Sequence, residues 1–127
     1  MNLNHLNLVV TDLEATGKLF VDLFGLTPQG TVGTALAMYR GDNGFSLVLS
    51  AADRFAKDSL HYPPAFHIGF IVDDPHEVDR IHEQVIAYGL SPNHAPRRQH
   101  GSYGFYVLVL DEFLIEIGCY ASQYAAS

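Results

Sequence analysis

The chain carries one cysteine, no tryptophan and half as many basic residues as acidic ones. A single thiol, Cys119, excludes an internal disulfide and cannot supply the paired thiolates of a structural zinc site, which suits a reducing, cytoplasmic setting. Seven Lys and Arg against fourteen Asp and Glu give a formal net charge of −7. That field repels phosphate backbones and anionic lipid, so neither nucleic acid nor membrane is an expected partner. No segment approaches the roughly 20 apolar residues that span a bilayer, and the first seven residues lack the basic start and apolar run of a signal peptide. What is present is 127 residues, 48% of them apolar, enough to build the core of one domain.

Hydrophobic periodicity divides the chain. Residues 3–10 alternate as a strand, with Leu6, Leu8 and Val10 on the core-like face and His5, Asn7 and Val9 on the other. Thr11 and Glu14 have capping-box spacing, and Leu13, Phe20 and Phe24, joined by Leu19 and Leu23, form a helical apolar stripe that ends at Gly25. Residues 29–40 and 45–50 read as two strands joined through Gly41-Asp-Asn-Gly44, and residues 51–64, closing on Pro63-Pro64, read as a connector.

The pattern then begins again. Residues 66–72 form a strand with Phe66, Ile68, Phe70 and Val72 on one face and His67, Gly69 and Ile71 on the other. Asp74-Pro75 with Glu77 opens a second helix through Val78, Ile81, Val85 and Tyr88 to Gly89. Strands follow at 91–94, 103–110 and 113–119, the last two joined by a turn at Asp111-Glu112. His5-Leu-Asn-Leu-Val-Val10 matches His67-Ile-Gly-Phe-Ile-Val72, and each helix ends on Gly-Leu. The expectation is one α+β domain made of two βαβββ modules, 1–62 and 63–121, with a short tail at 122–127.

A lone strand histidine is usually an ordinary, satisfied one, but His5 and His67 occupy equivalent positions of a repeat. Glu116, inside Phe113-Leu-Ile-Glu-Ile117, shares a strand face with Leu114 and Gly118, opposite the apolar face, and a carboxylate there needs a partner. Asn7, Gly69 and Gly118, two residues beyond each candidate, are small or polar and suggest room for a ligand. Two imidazoles and one carboxylate suit Fe(II), Mn(II), Zn(II) or Ni(II) and leave coordination positions open to substrate.

These stretches, His5-Leu-Asn-Leu-Val-Val-Thr-Asp12 leading to Phe24-Gly-Leu26, then Phe66-His-Ile-Gly-Phe-Ile-Val72 and Leu114-Ile-Glu-Ile117, resemble the vicinal oxygen chelate superfamily over nearly the whole chain. That superfamily includes glyoxalase I, extradiol dioxygenases, and fosfomycin- and bleomycin-resistance proteins. The resemblance implies mixed sheets forming an open, barrel-like cleft, a homodimer, and a divalent metal held by His5, His67 and Glu116. Matching Leu114-Ile-Glu-Ile117 to Ser46-Leu-Val-Leu49 puts Val48 at the remaining ligand position, so the four-ligand arrangement of glyoxalase I is not implied. The final hairpin is also shorter than the family's usual turn.

Other residues carry weaker signals. His100 and Tyr103 are candidates for acid–base work beside the metal, and Arg97 and Arg98 could steer an anionic substrate. Tyr39, Phe45 and Phe105 are candidate pocket aromatics. His76 and His82 fall off the second helix's apolar stripe and read as solvated, and His61 and His94 as loop residues. The preferred function is a metal-dependent enzyme acting on a small oxygen-bearing substrate, by dioxygenase-like or by thiol-transferase or lyase-like chemistry. The alternative is a metal-free protein that sequesters a small molecule or antibiotic, which has no need of such a triad.

Overall fold

The computed structural model describes residues 1–56 and 60–120. It divides into two compact units, the first running from Met1 to His61 and the second beginning at Tyr62. The tail expected at 122–127, with residue 121, lies outside the described residues. Among those described, no helix is long and apolar enough to cross a membrane.

The first unit contains β1 (His5–Val10), α1 (Leu13–Phe24), β2 (Thr27–Val32), β3 (Leu36–Arg40), β4 (Ser46–Ala51) and the single turn α2 (Ala52–Phe55). Its sheet has the order β1-β4-β3-β2, with β1 and β4 parallel and the other pairs antiparallel. Leu8, Val10, Ala37, Leu47 and Leu49 point to one side and are buried with Leu19 and Phe20 of α1. Each large apolar side chain so buried contributes roughly 1.5–3 kcal/mol. Gly17 leaves the space that the Tyr39 ring fills; a Cβ there would lie 1.9 Å from the tyrosine hydroxyl.

The second unit repeats the plan with β5 (His67–Ile71), α3 (Pro75–Ala87), β6 (Arg97–Gln99), β7 (Ser102–Val109) and β8 (Phe113–Tyr120), in the sheet order β5-β8-β7-β6. Again the first and last strands pair in parallel. Phe105, Val107, Val109, Phe113, Ile115 and Ile117 bury against Val78, Ile81 and Val85 of α3. Tyr103 reaches back from β7 to donate its hydroxyl to Asp79 of α3 at 2.5 Å, which ties the helix to the sheet.

Several local expectations are corrected. Asp12, not Thr11, caps α1, its carboxylate accepting from the Ala15 amide. The stretch expected as one strand over 29–40 is a hairpin, because the Ala35 amide closes a turn on the Val32 carbonyl around Gly33. The connector includes the short helix α2. Residues 91–94 make only an isolated bridge, Pro92 to Val107, since proline offers no amide hydrogen to a ladder; Arg97–Gln99 pairs with β7 instead. The last turn centres on Leu110 and Asp111, both at positive φ, with the Glu112 amide donating to the Val109 carbonyl.

Candidate metal centre

Each sheet buries one face under its helix, so the other face is where polar groups can be presented. On the second sheet, the ladders place Gly69, Glu116 and Tyr106 in one row across β5, β8 and β7. The next row holds Ile71, Gly118, Gly104 and Arg97. His67 stands one strand period before Gly69, and its Nε2 lies 3.6 Å from Glu116 Oε1. The two side chains are 40% and 20% exposed, so the pair is reachable from solvent without being fully hydrated.

The hydrogen bonds around the pair decide which atoms are available. The Ala65 carbonyl lies 3.0 Å from His67 Nδ1 and accepts its proton's hydrogen bond, which turns Nε2 towards Glu116. Lone pairs of a neutral imidazole and a carboxylate facing each other repel unless a proton or cation lies between them. Donors about 2.1 Å from a shared ion are at most about 4.2 Å apart, so the observed spacing suits a single divalent cation. Gly69 borders the carboxylate: a Cβ there would lie 3.7 Å from Glu116 Oε1, in ordinary contact.

Tyr106 completes this group. Burial first, and then a hydrogen bond to Glu116, raises its pKa above the ordinary value. Its ring meets His67 edge-on at 5.3 Å and His94 at 6.2 Å. The Asn93 amide donates to the Tyr106 carbonyl, which brings the 92–96 segment, and His94 with it, alongside β7. Neither Tyr106 nor His94 was expected in the site. The available signal was the hairpin register, because a turn centred on Leu110 and Asp111 pairs Tyr106 with Glu116.

On the first sheet, the equivalent row is Asn7, Val48 and Met38. Val48 therefore stands where Glu116 stands in the second sheet and supplies no donor atom. His5 keeps its Nδ1 2.7 Å from Asn4 Oδ1, which leaves Nε2 as its other ring nitrogen, as in His67. Asn7 is exposed on this face, its Oδ1 accepting a 2.6 Å hydrogen bond from Ser50. Among the described residues no group of three or more His, Cys, Asp or Glu side chains is gathered as a ready metal cluster. The pair His67 and Glu116 is the part of the expected triad that the second unit holds by itself.

The remaining candidates fall in different places. Tyr103 pairs with Cys119 and Phe105 with Ile117, which puts both on the helix-covered face, away from Glu116. Phe105 is buried with His82 packed edge-on against it at 4.9 Å, so His82 is a half-buried packing residue rather than a solvated one. Tyr39 turns its ring to Gly17, and Phe45 closes the β3–β4 turn, its carbonyl accepting from Gly41. His100 occupies the β6–β7 turn at φ 54°, beyond Ser102. Tyr106 is four residues further along β7, about 13 Å away at the strand rise. Arg97 lies on the Glu116 face and donates to Gln99 at 2.7 Å, whereas Arg98 lies on the opposite face beside Tyr103.

Comparison with known proteins agrees with this architecture. The model of the Glyoxalase/Bleomycin resistance protein/Dioxygenase superfamily matches residues 2–117. The chain belongs to this superfamily. Among solved structures, it is similar to a possible glyoxalase from Bacillus cereus, with 36% identity, a TM-score of 0.81, and 94% of this chain and 99% of that one covered. It shares the superfamily fold with the fosfomycin resistance protein FosX of Listeria monocytogenes, in a complex with Mn(II), at 24% identity, TM-score 0.75 and coverage of 93% and 89%. A lactoylglutathione lyase from Agrobacterium tumefaciens shares it too, at 21% identity, TM-score 0.76 and coverage of 99% and 97%. No curated protein matches the chain.

Proposed function

We propose that this superfamily member is a divalent-metal-dependent enzyme acting on a small oxygen-bearing substrate, with His67, Glu116 and His5 as the protein donors. The observation that carries the reading is the His67 Nε2 to Glu116 Oε1 separation of 3.6 Å, with Nδ1 turned to the Ala65 carbonyl so that Nε2 faces the carboxylate. His5 is prepared in the same way by Asn4. His5, in the first unit, is the third donor of the proposed set, and a homodimer is the proposed assembly. Fe, Mn, Zn and Ni all suit this donor set.

When bound, such an ion polarises substrate oxygens and stabilises negative charge that develops on one of them. The chain's own groups prepare for that. The Tyr106 hydroxyl, bonded to Glu116, orients the carboxylate, and the Ala65 and Asn4 oxygens orient the two imidazoles. Partners of this kind are worth about 10–100-fold in metal affinity. Val48 withholds a fourth donor, so the glyoxalase I arrangement is disfavoured, and dioxygenase-like and thiol-transferase or lyase-like reactions are the classes to assay.

Elemental analysis after reconstitution with each of the four metals tests the proposal, alongside His67→Ala and Glu116→Gln. About one metal per chain is expected in the wild type, with affinity lowered at least about 100-fold in either variant. A wild-type protein that stays empty after every reconstitution sinks the enzyme reading and leaves sequestration of a small molecule in its place.

A further inference from the structure

We propose that the exposed face of the first sheet binds the anionic end of a small amphiphilic ligand, a carboxylate or a phosphonate, on Arg40, with the ligand's apolar body on Met38 and Val48. This deepens the enzyme reading by naming a substrate class; its catalytic meaning rests on that reading, whereas the binding does not.

A depression of about 360 Å³ lies on this face, within the range of small-ligand sites. Its lining combines the polar groups of His5, Gln29, Arg40 and Ser46 with the apolar side chains of Met38 and Val48. The ladders explain the arrangement. His5, Ser46 and Arg40 form one row across β1, β4 and β3, and Val48 and Met38 sit side by side in the next. With strands about 4.8 Å apart, the His5 and Arg40 backbones stand about 10 Å from each other, which leaves a small molecule space to lie between them.

Three features point to an anion. Arg40 is exposed and takes part in no salt bridge among the described residues, in a chain whose acids outnumber its bases two to one. A guanidinium offers paired donors that match a carboxylate or phosphonate in a fork. Beside it, β2 shifts register between Pro28 and Gly30, leaving Gln29 as the extra residue of a bulge, a device that re-aims a side chain next to a site.

Two features set the rest of the ligand. Met38 is a flexible, polarizable apolar surface, and Val48 continues it. In the second sheet the corresponding places are taken by Tyr106 and Glu116. The first sheet thus presents an apolar surface beside a cation where the second presents a carboxylate and a tyrosine hydroxyl.

The test uses metal-free protein and follows the Met38 and Val48 methyl resonances during titration with benzoate, phenylphosphonate and the neutral benzamide. Both methyls should shift with at least one anion, benzamide should bind at least about tenfold more weakly, and the tighter anion identifies the source chemistry. Arg40→Gln should lose a similar factor and Arg40→Lys regain part of it. Equal binding of benzamide, an unchanged isotherm in Arg40→Gln, or no shift with either anion would overturn the proposal. His67→Ala should bind the anions as the wild type does, so a failure of metal loading and a failure of anion binding are read separately.

Discussion

The two units share one plan, and their exposed sheet faces differ where chemistry would differ. Asn7, Val48 and Met38 in the first correspond to Gly69, Glu116 and Tyr106 in the second. One row is an apolar surface bordered by the Asn7–Ser50 hydrogen bond; the other is a carboxylate between a glycine and a tyrosine hydroxyl. The helix-covered faces are apolar in both, although Ala37 and Tyr39 of the first stand where Phe105 and Val107 stand in the second. The repeated plan keeps one apolar face on each sheet and differs on the open one.

Making the sheets alike is the strongest way to break that comparison. Glu116→Val, which copies the first sheet into the second, should abolish stoichiometric metal binding by elemental analysis, a loss of at least about 100-fold in affinity. The converse change, Val48→Glu, puts a carboxylate at a half-buried site and should cost about 1–3 kcal/mol without metal. Thermal melts should recover that loss when Mn(II) or Zn(II) is added; a melt unaffected by metal would count against the equivalence of the two positions.

A backbone difference comes next. Gly104 corresponds to Leu36, yet a Cβ at Gly104 would sit 2.1 Å from the Ile117 carbonyl oxygen, a backbone atom that cannot step aside. Gly104→Ala should therefore destabilise by roughly 3 kcal/mol or more in urea unfolding. Leu36→Ala, at a half-buried position, should cost only about 1–2 kcal/mol.

Smaller effects sharpen the picture. Tyr106→Phe should weaken metal binding by about tenfold without unfolding the protein. Glu116→Gln should lower the Tyr106 pKa in an ultraviolet titration while leaving the part caused by burial. Tyr103 is a test of the other face: its hydrogen bond to Asp79, with burial, moves its pKa from 10.0 to about 12. A raised pKa means the unfolded chain releases this proton first, so its stabilisation is complete below pH 10 and is lost between pH 10 and about 12. The wild type and Tyr103→Phe should converge in stability across that window, and parallel curves would show that the proton is not held.

Alternation with period two, read from residues alone, was enough to put His5, His67 and Glu116 on the faces opposite the core, because a strand's side chains alternate whatever its neighbours are. Helical periodicity likewise gave both helices with their ends to within a residue or two, whereas Val48 as the counterpart of Glu116 came from the family resemblance. Parity within β7 could have separated Tyr103 and Phe105 from the site, but that required knowing which residue of β7 faces Glu116. That fact depends on where the last turn bends, and a non-glycine pair, Leu110 and Asp111, bends it at positive φ with no sequence mark. Composition and periodicity by themselves determined the duplicated plan, the covered faces and the three candidate donors. Tertiary structure alone decided the cross-strand rows that bring Tyr106 and His94 beside the pair and that put Arg40 in line with His5, because register is a property of paired strands and not of any one of them.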